Sequence, residues 1–443
     1  AGADPRISGA VDYAGATASA FTYQVRVKGT TAIRFPGRNF RPTTFDLPFP
    51  NNVTMRGAVF AAGTRGAATA GAWKTLVAEG PDAMTGASGV GGRFVLSYLH
   101  DAATLVRVHA ADGKRLSEVK LPGIGTAGGF GGRWTDGETF FSYTSLTTPA
   151  SIYRFDVKSG KTELFKSPKT AFNSDEFETR REFVTSKDGT RFPIFIAARK
   201  GLKLDGKNPT LLYGYGGFDI SITPGYGVTA ATWLKMGGVY VIASIRGGGE
   251  YGSAWHEAGT KLKKQNVFDD FIAAGEWLVA NKVASPATLA INGGSNGGLL
   301  VGAVTNQRPD LFAAAVPQVG VMDMLRYQNF TIGWAWATDY GTSKDSPEMF
   351  KALHAYSPLH NIKGGANYPA VLVTTGDHDD RVVPAHSFKY AAALQAVDTG
   401  PAPKLIRIET NAGHGAGKPT SKIIEERSDV LAFIAHTMKL EVK

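Results

Sequence analysis

The chain of 443 residues has no cysteine, which excludes disulfides, thiolate metal centres and cysteine nucleophiles. No run of 18 or more apolar residues occurs, so a membrane span is not expected. The first residues, Ala1 to Arg6, lack a basic region followed by an apolar stretch, so no signal peptide is read there. The first residue is not Met either, which leaves room for a removed leader or an upstream segment. The expected compartment is cytoplasmic or periplasmic. Dense Lys/Arg blocks interleaved with aromatics are also missing, the nearest being the short set Lys261, Lys263 and Lys264. The net charge of +10 is therefore read as a solvated face, with neither nucleic acid nor membrane as a partner. What is present is ordinary for a globular protein, 43% hydrophobic and 19% charged residues. Its length predicts two domains.

Two styles of sequence meet near residues 170–182. Before them, short alternating segments such as Arg93–Leu99, Thr104–His109, Phe140–Tyr143 and Ser151–Val157 read as strands separated by turns. The turn dipeptides Asp112-Gly113 and Ser159-Gly160 lie 47 residues apart, close to one four-stranded propeller blade. The stretch up to about residue 70 is rich in Ala, Gly and Thr, and its strands are not placed. After residue 182 strands alternate with helices, the mark of a mostly parallel sheet. Strands are expected at Phe192–Ala197, Thr210–Tyr213, Val239–Ala243, Thr288–Ile291, Ala370–Thr374 and Lys404–Glu409. Helices are expected over Val267–Val279, with Asp269 and Asp270 in the first turn, over Gly298–Asn306, and over Ile423–Leu440. The fold class is thus α/β, with domains at 1–175 and 176–443.

The strongest chemical signal is Gly293-Gly294-Ser295-Asn296-Gly297-Gly298, entered from a strand and followed by an apolar helix. A nucleophile elbow needs this context: the serine sits on a strained turn, and side chains at Gly293 and Gly297 would strike neighbouring backbone. A serine hydroxyl needs a base, and the base an orienting carboxylate, in the chain order Ser, Asp, His in α/β-hydrolases. The strand at Ala370–Thr374 leads into Asp377, Asp379 and Asp380, and the strand at Lys404–Glu409 leads into Gly413-His414-Gly415. Ser295 is the expected nucleophile and His414 the base. His256, His354, His360, His378 and His386 are read as structural. The Asp377-His378-Asp379-Asp380 cluster lacks metal-ligand spacing and has Arg381 beside it. No metal and no other cofactor is expected.

Those segments, with Tyr213–Phe218, Ile245–Gly252, Asp379–Pro384 and Ala412–Pro419, resemble the prolyl oligopeptidase family over residues 85–440. The related oligopeptidase B, which cuts after basic residues, typically has Ala where Asn296 stands and lacks the Tyr-Gly-Gly-Phe pattern. The resemblance implies an α/β-hydrolase domain preceded by a β-propeller, here an incomplete one. About 170 residues precede the catalytic domain, enough for three to four blades of about 45 residues, so the first blades and an N-terminal catalytic segment are expected to be absent. That segment is a candidate partner of the chain. The resemblance also implies the residue roles. Asp379 matches the acid, and Asn296 (backbone N–H) and Tyr215 (hydroxyl) would hold the oxyanion. Trp336 would stack on the substrate proline, with Phe218, Val321, Ile332, Tyr340 and Val382 lining the slot. Arg381 would hold a substrate carbonyl, and Trp334 is expected in the core. The implied activity is cleavage of proline-containing oligopeptides on the carboxyl side of proline. A dipeptidyl peptidase or esterase of the same fold, or an inactive fragment, is the alternative.

Overall fold

A computed structural model describes residues 74–415 and 417–441 and, between residues 12 and 62, the backbone of five strands. The unplaced opening stretch lies largely outside these residues. The chain divides into two compact units, Ala1–Lys169 with Gly249–Trp255, and Thr170–Gly248 with His256–Lys443.

Among the described residues the first unit contains three antiparallel sheets. The first has six strands, β1 (Asp12–Ala14), β2 (Thr22–Val27), β3 (Thr30–Arg34), β4 (Arg41–Asp46), β5 (Ala58–Ala62) and β6 (Lys74–Val77). The second has four: β7 (Ala83–Val90), β8 (Arg93–His100), β9 (Ala103–Ala110) and β10 (Arg115–Glu118). The third repeats that plan with β11 (Thr126–Gly129), β12 (Glu138–Thr144), β13 (Ser151–Asp156) and β14 (Thr162–Lys166). The two turn dipeptides occupy equivalent places, between the third and fourth strands of successive sheets, and Gly113 and Gly160 have φ of +93° and +75° there. Alternation gives the second and third sheets an apolar face. Val90, Val95, Val106 and Val108 of the second sheet form one buried cluster with Phe141, Tyr143 and Phe155 of the third. Among the described residues the four-strand plan recurs in these two sheets, while β1–β6 form one six-stranded sheet.

The second unit is built on one eight-stranded sheet. Its strands are β15 (Phe177–Thr185), β16 (Arg191–Arg199), β17 (Thr210–Tyr213), β18 (Val239–Ala243), β19 (Leu289–Gly294), β20 (Ala314–Gln318), β21 (Ala370–Gly376) and β22 (Lys404–Glu409). Their order is β15-β16-β18-β17-β19-β20-β21-β22. The first two pairings are antiparallel and the rest parallel. The helices are α1 (Val228–Lys235), α2 (Ser253–Glu257, which starts in the first unit), α3 (Gln265–Ala280), α4 (Asn296–Gln307), α5 (Ala337–Tyr340), α6 (Pro347–Tyr356), α7 (Ala385–Ala396) and α8 (Thr420–Thr437).

The central strands are buried on both faces, as a parallel sheet covered by helices must be. Ala290, Ala314 and Leu372 share a cluster with Trp233 of α1 and Val430, Leu431 and Ile434 of α8. Leu289, one residue out of phase with Ala290, faces α3, where a methyl on Gly275 would lie 3.1 Å from Leu311 and 3.6 Å from Leu289. Helix α3 begins at Gln265, so Asp269 and Asp270 are beyond its first turn. Asp270 is not a helix-dipole residue but is fully buried and paired with Arg246, which also pairs with Asp188. Strands β15 and β20 were not anticipated.

Candidate active site

Strand β19 ends at Gly294 and α4 begins at Asn296, leaving Ser295 alone on the turn with φ +60° and ψ −116°. A non-glycine residue is held there only when its surroundings over-determine it. Here the Ser295 N–H donates to the Gln318 carbonyl at 2.8 Å. The glycines make the turn possible: a methyl on Gly293 would lie 2.3 Å from the Gly297 carbonyl oxygen, and one on Gly297 would lie 2.7 Å from that of Gly214.

Two neighbouring strands deliver the partners. Asp379 follows β21 and is buried, its Oδ1 accepting the N–H groups of Arg381 and Val382 at 3.0 and 2.8 Å. Its Oδ2 lies 2.7 Å from Nδ1 of His414, which follows β22. A proton on Nδ1 makes that bond and leaves Nε2 as the accepting nitrogen. Ser295 and His414 line one cavity of about 250 Å³. Asp377, the rival acid, pairs instead with His378 at 2.7 Å and accepts the Ala412 N–H at 3.2 Å, which ties the base loop to the acid loop. The exposed Asp380 points to no such role.

Beyond β17, the loop Tyr215–Phe218 turns past the elbow. The Tyr215 hydroxyl interacts with the Ser295 side chain, and burial pushes its pKa up to about 12. Asn296 is buried as the first residue of α4, where backbone N–H groups have no intrahelical acceptor. Its Nδ2 donates to the Tyr215 carbonyl at 2.5 Å, and its Oδ1 accepts the Tyr340 hydroxyl at 2.8 Å.

Three of the expected slot residues, Phe218, Tyr340 and Trp336, lie along a chain of rings. Phe218, at φ +59°, meets Tyr340 edge-on with centroids 5.3 Å apart. Tyr340 meets Tyr327 in the same way at 5.3 Å, and Tyr327 stacks on Trp336 at 6.1 Å and 14°. Val321 and Val382 are buried, whereas Ile332 and Arg381 are exposed. Trp334, expected in the core, is 68% exposed. Both tryptophans lie on a 3₁₀ turn, Gly333–Trp336, where residues two apart cannot share a face. Three buried residues were missed: Tyr327 beneath Trp336, and the charged Lys264 and Asp339. Nothing in the sequence separates Tyr327 from an ordinary core aromatic. Among the rival histidines, His256 pairs with Asp339 at 2.5 Å, His386 accepts the Asp323 N–H at 3.1 Å and His360 contacts the Ser357 hydroxyl at 2.8 Å.

This geometry can be set beside known proteins. The family model described as "Prolyl oligopeptidase family" matches residues 225–441, and that of "Prolyl oligopeptidase, N-terminal beta-propeller domain" matches residues 51–168. The chain belongs to the prolyl oligopeptidase family. Within that family, a prolyl endopeptidase from Elizabethkingia miricola is 52% identical over 369 residues, covering 83% of this chain and 52% of the relative. A prolyl endopeptidase from Dictyostelium discoideum is 45% identical over 360 residues, covering 79% and 47%. A solved prolyl endopeptidase structure superposes with a TM-score of 0.85 at 40% identity, over 96% of this chain and 65% of the other. The chain thus spans about half the length of the curated prolyl oligopeptidase relatives it matches. Among the described residues no helix is long and apolar enough to cross a membrane, and no group of three or more His, Cys, Asp or Glu could hold a metal ion.

Proposed function

We propose that the chain carries the active site of a serine endopeptidase that hydrolyses short peptides on the carboxyl side of proline. Residues up to 175 supply propeller blades and the remainder the catalytic domain. The carrying observation is the strained Ser295 sharing a cavity with a histidine whose other ring nitrogen rests on a buried carboxylate. In the proposed reaction Nε2 of His414 takes the Ser295 hydroxyl proton as Oγ bonds the scissile carbonyl carbon. The oxygen, now carrying the electron pair, is met by the Asn296 N–H and the Tyr215 hydroxyl. Collapse breaks the C–N bond, and the proton passes from His414 to the leaving amine. Water then repeats the sequence on the acyl-enzyme. Asp379 stabilises the imidazolium and stays ionised.

Specificity follows from the apolar aromatic wall. Proline has a rigid ring and no backbone N–H, so a site reads it by shape and a flat apolar face. Trp336 supplies that face, Phe218, Val321, Ile332, Tyr340 and Val382 close the slot, and Arg381 holds the preceding carbonyl. None of these slot residues is a carboxylate, and the nearby Asp339 is buried and already held by His256 and the Phe218 N–H. The test is paired: a fluorophosphonate adduct mapped by mass spectrometry, and cleavage of an X-Pro-X peptide with a blocked amino terminus. Labelling of Ser295 with cleavage after proline is expected. Labelling elsewhere, or efficient cleavage after arginine, defeats the reading.

A further inference from the structure

We infer that Lys264 is a positioning residue for the oxyanion hole, its buried ammonium joining the Tyr215–Phe218 loop to the nucleophile elbow. The inference rests on the proposed serine-peptidase chemistry and adds to it a residue with no part in the triad or the slot.

A lysine is almost never fully buried unless something holds its charge. Lys264 is 1% exposed, directly before α3. Its Nζ donates to the Gly216 carbonyl at 2.7 Å and to Asn296 Oδ1 at 3.2 Å, and lies 5.4 Å from the centre of the Tyr340 ring. One partner belongs to the loop that carries the Tyr215 hydroxyl. The other is the side chain of the residue whose N–H is the second oxyanion donor. Lys264 therefore spans the two halves of the hole.

The surrounding bonds extend that role. The loop is fixed at three consecutive backbone groups: Tyr215 C=O by Asn296 Nδ2 at 2.5 Å, Gly216 C=O by Lys264, and Phe218 N–H by Asp339 Oδ2 at 3.1 Å. The ammonium makes one of the three directly and supports a second: with the Tyr340 hydroxyl it donates to Asn296 Oδ1, and the two donors together fix which way the amide faces and so direct Nδ2 to Tyr215. A mobile loop would blur the donor geometry that transition-state stabilisation needs. The loop must also hold Phe218 and Asp219 at φ +59° and +58°, a conformation that does not persist unaided.

The groups facing the ammonium are Asp339, with its partner His256, and the Tyr340 ring. Burial pushes the Lys264 pKa down to about 8, against the opposing pull of the Asp339 charge. Burial raises both tyrosines, Tyr215 to about 12 and Tyr340 well above the usual phenol value, so neither titrates in the same range.

The experiment compares the chain with Lys264→Met, which keeps the length of the side chain and removes its charge. Three quantities are read: kcat and KM on a blocked prolyl peptide, the rate of fluorophosphonate labelling of Ser295, and affinity for a prolinal aldehyde, whose adduct carries an oxyanion. We expect kcat, labelling rate and aldehyde affinity each to fall about 10- to 100-fold, less than for outright loss of a donor, with KM within threefold. Asp339→Asn is the second variant. It removes the charge that favours protonated Lys264, so the decline of kcat above pH about 8 shifts to lower pH, and in Lys264→Met that limb is lost. A Lys264→Met chain that folds with kcat and labelling within threefold of the parent overturns the inference, as does a loss confined to KM. If Lys264→Met does not fold, an unmoved alkaline limb in Asp339→Asn overturns it. Failure of the parent to cut prolyl peptides would strike the substrate reading alone, because the labelling rate reports the hole without any peptide.

Discussion

Replacing Tyr215 by Phe removes one hydroxyl and leaves the ring that fills its half-buried place. In the resting site that hydroxyl interacts with the Ser295 side chain. In the proposed transition state it faces the developing oxyanion together with the Asn296 N–H, so its loss leaves one donor of two. A donor of this kind stabilises the transition state by about 3 kcal/mol, which corresponds to roughly a hundredfold in rate. The donor acts in the transition state and not in substrate binding, so the effect falls on kcat more than on KM. Because the pKa of this hydroxyl is near 12, it stays protonated, and the ratio of parent to variant should not vary with pH between 6 and 7, below the range in which Lys264 loses its proton. The assay is steady-state hydrolysis of a blocked Gly-Pro anilide at several pH values, with thermal unfolding as a control for folding. A loss of less than threefold in kcat, or a ratio that changes between pH 6 and 7, would refute the reasoning.

Ser295→Ala should reduce turnover by on the order of 10⁶-fold if Ser295, His414 and Asp379 act as a unit; a variant keeping a tenth of the activity would end that assignment. Trp336→Ala should lose its preference for proline while a small fluorophosphonate still labels Ser295 at a rate within a few-fold of the parent, and an unchanged preference would remove Trp336 from the slot. The third concerns His386, whose pKa burial lowers from 6.5 to about 4. The unfolded chain binds this proton below about 6.5 and the folded one does not, so stability declines as pH falls from 6.5 to 4, by about 3 kcal/mol from this group. Urea unfolding across that range checks it, and an unfolding midpoint that does not move would contradict it.

The triad candidates were legible because their chemistry imposes local rules. A serine at positive φ demands glycines around it, and the acid and base must follow later parallel strands, so Gly293 to Gly298, Asp379 and His414 announced themselves. Edges of elements were less legible where tertiary contacts decide them. Helix α3 starts early enough that Asp270 enters the core against Arg246, and no residue beside it reveals that a partner 24 positions back will take the charge. Strand β20, Ala314–Gln318, contains Pro317 and too few β-branched residues to separate it from a buried helix segment. Trp334 and Trp336 were told apart by the family resemblance, but the exposure of Trp334 depends on a short 3₁₀ turn with no periodic signal. Lys264 stood out in the sequence only as part of a basic run, and its burial is created by residues more than thirty positions away.

The segment between β20 and α6 carries Val321, Ile332, Trp336 and Tyr340, whereas Ser295, Asp379 and His414 follow other strands. Four of the seven residues of the proposed slot thus come from one segment, while Phe218 lies on the oxyanion loop and Arg381 and Val382 lie beside Asp379, so a new preference could evolve largely by rewriting that one segment. Within it Tyr340 is the exception. Its ring borders Phe218 while its hydroxyl is bonded to the Asn296 side chain, so a mutation there to reshape the slot also disturbs the oxyanion donors. That coupling makes Tyr340 a point of evolutionary constraint: variants that seek a wider pocket should accumulate changes at Val321, Ile332 and Trp336 first, and reach Tyr340 only with a compensating change at Asn296.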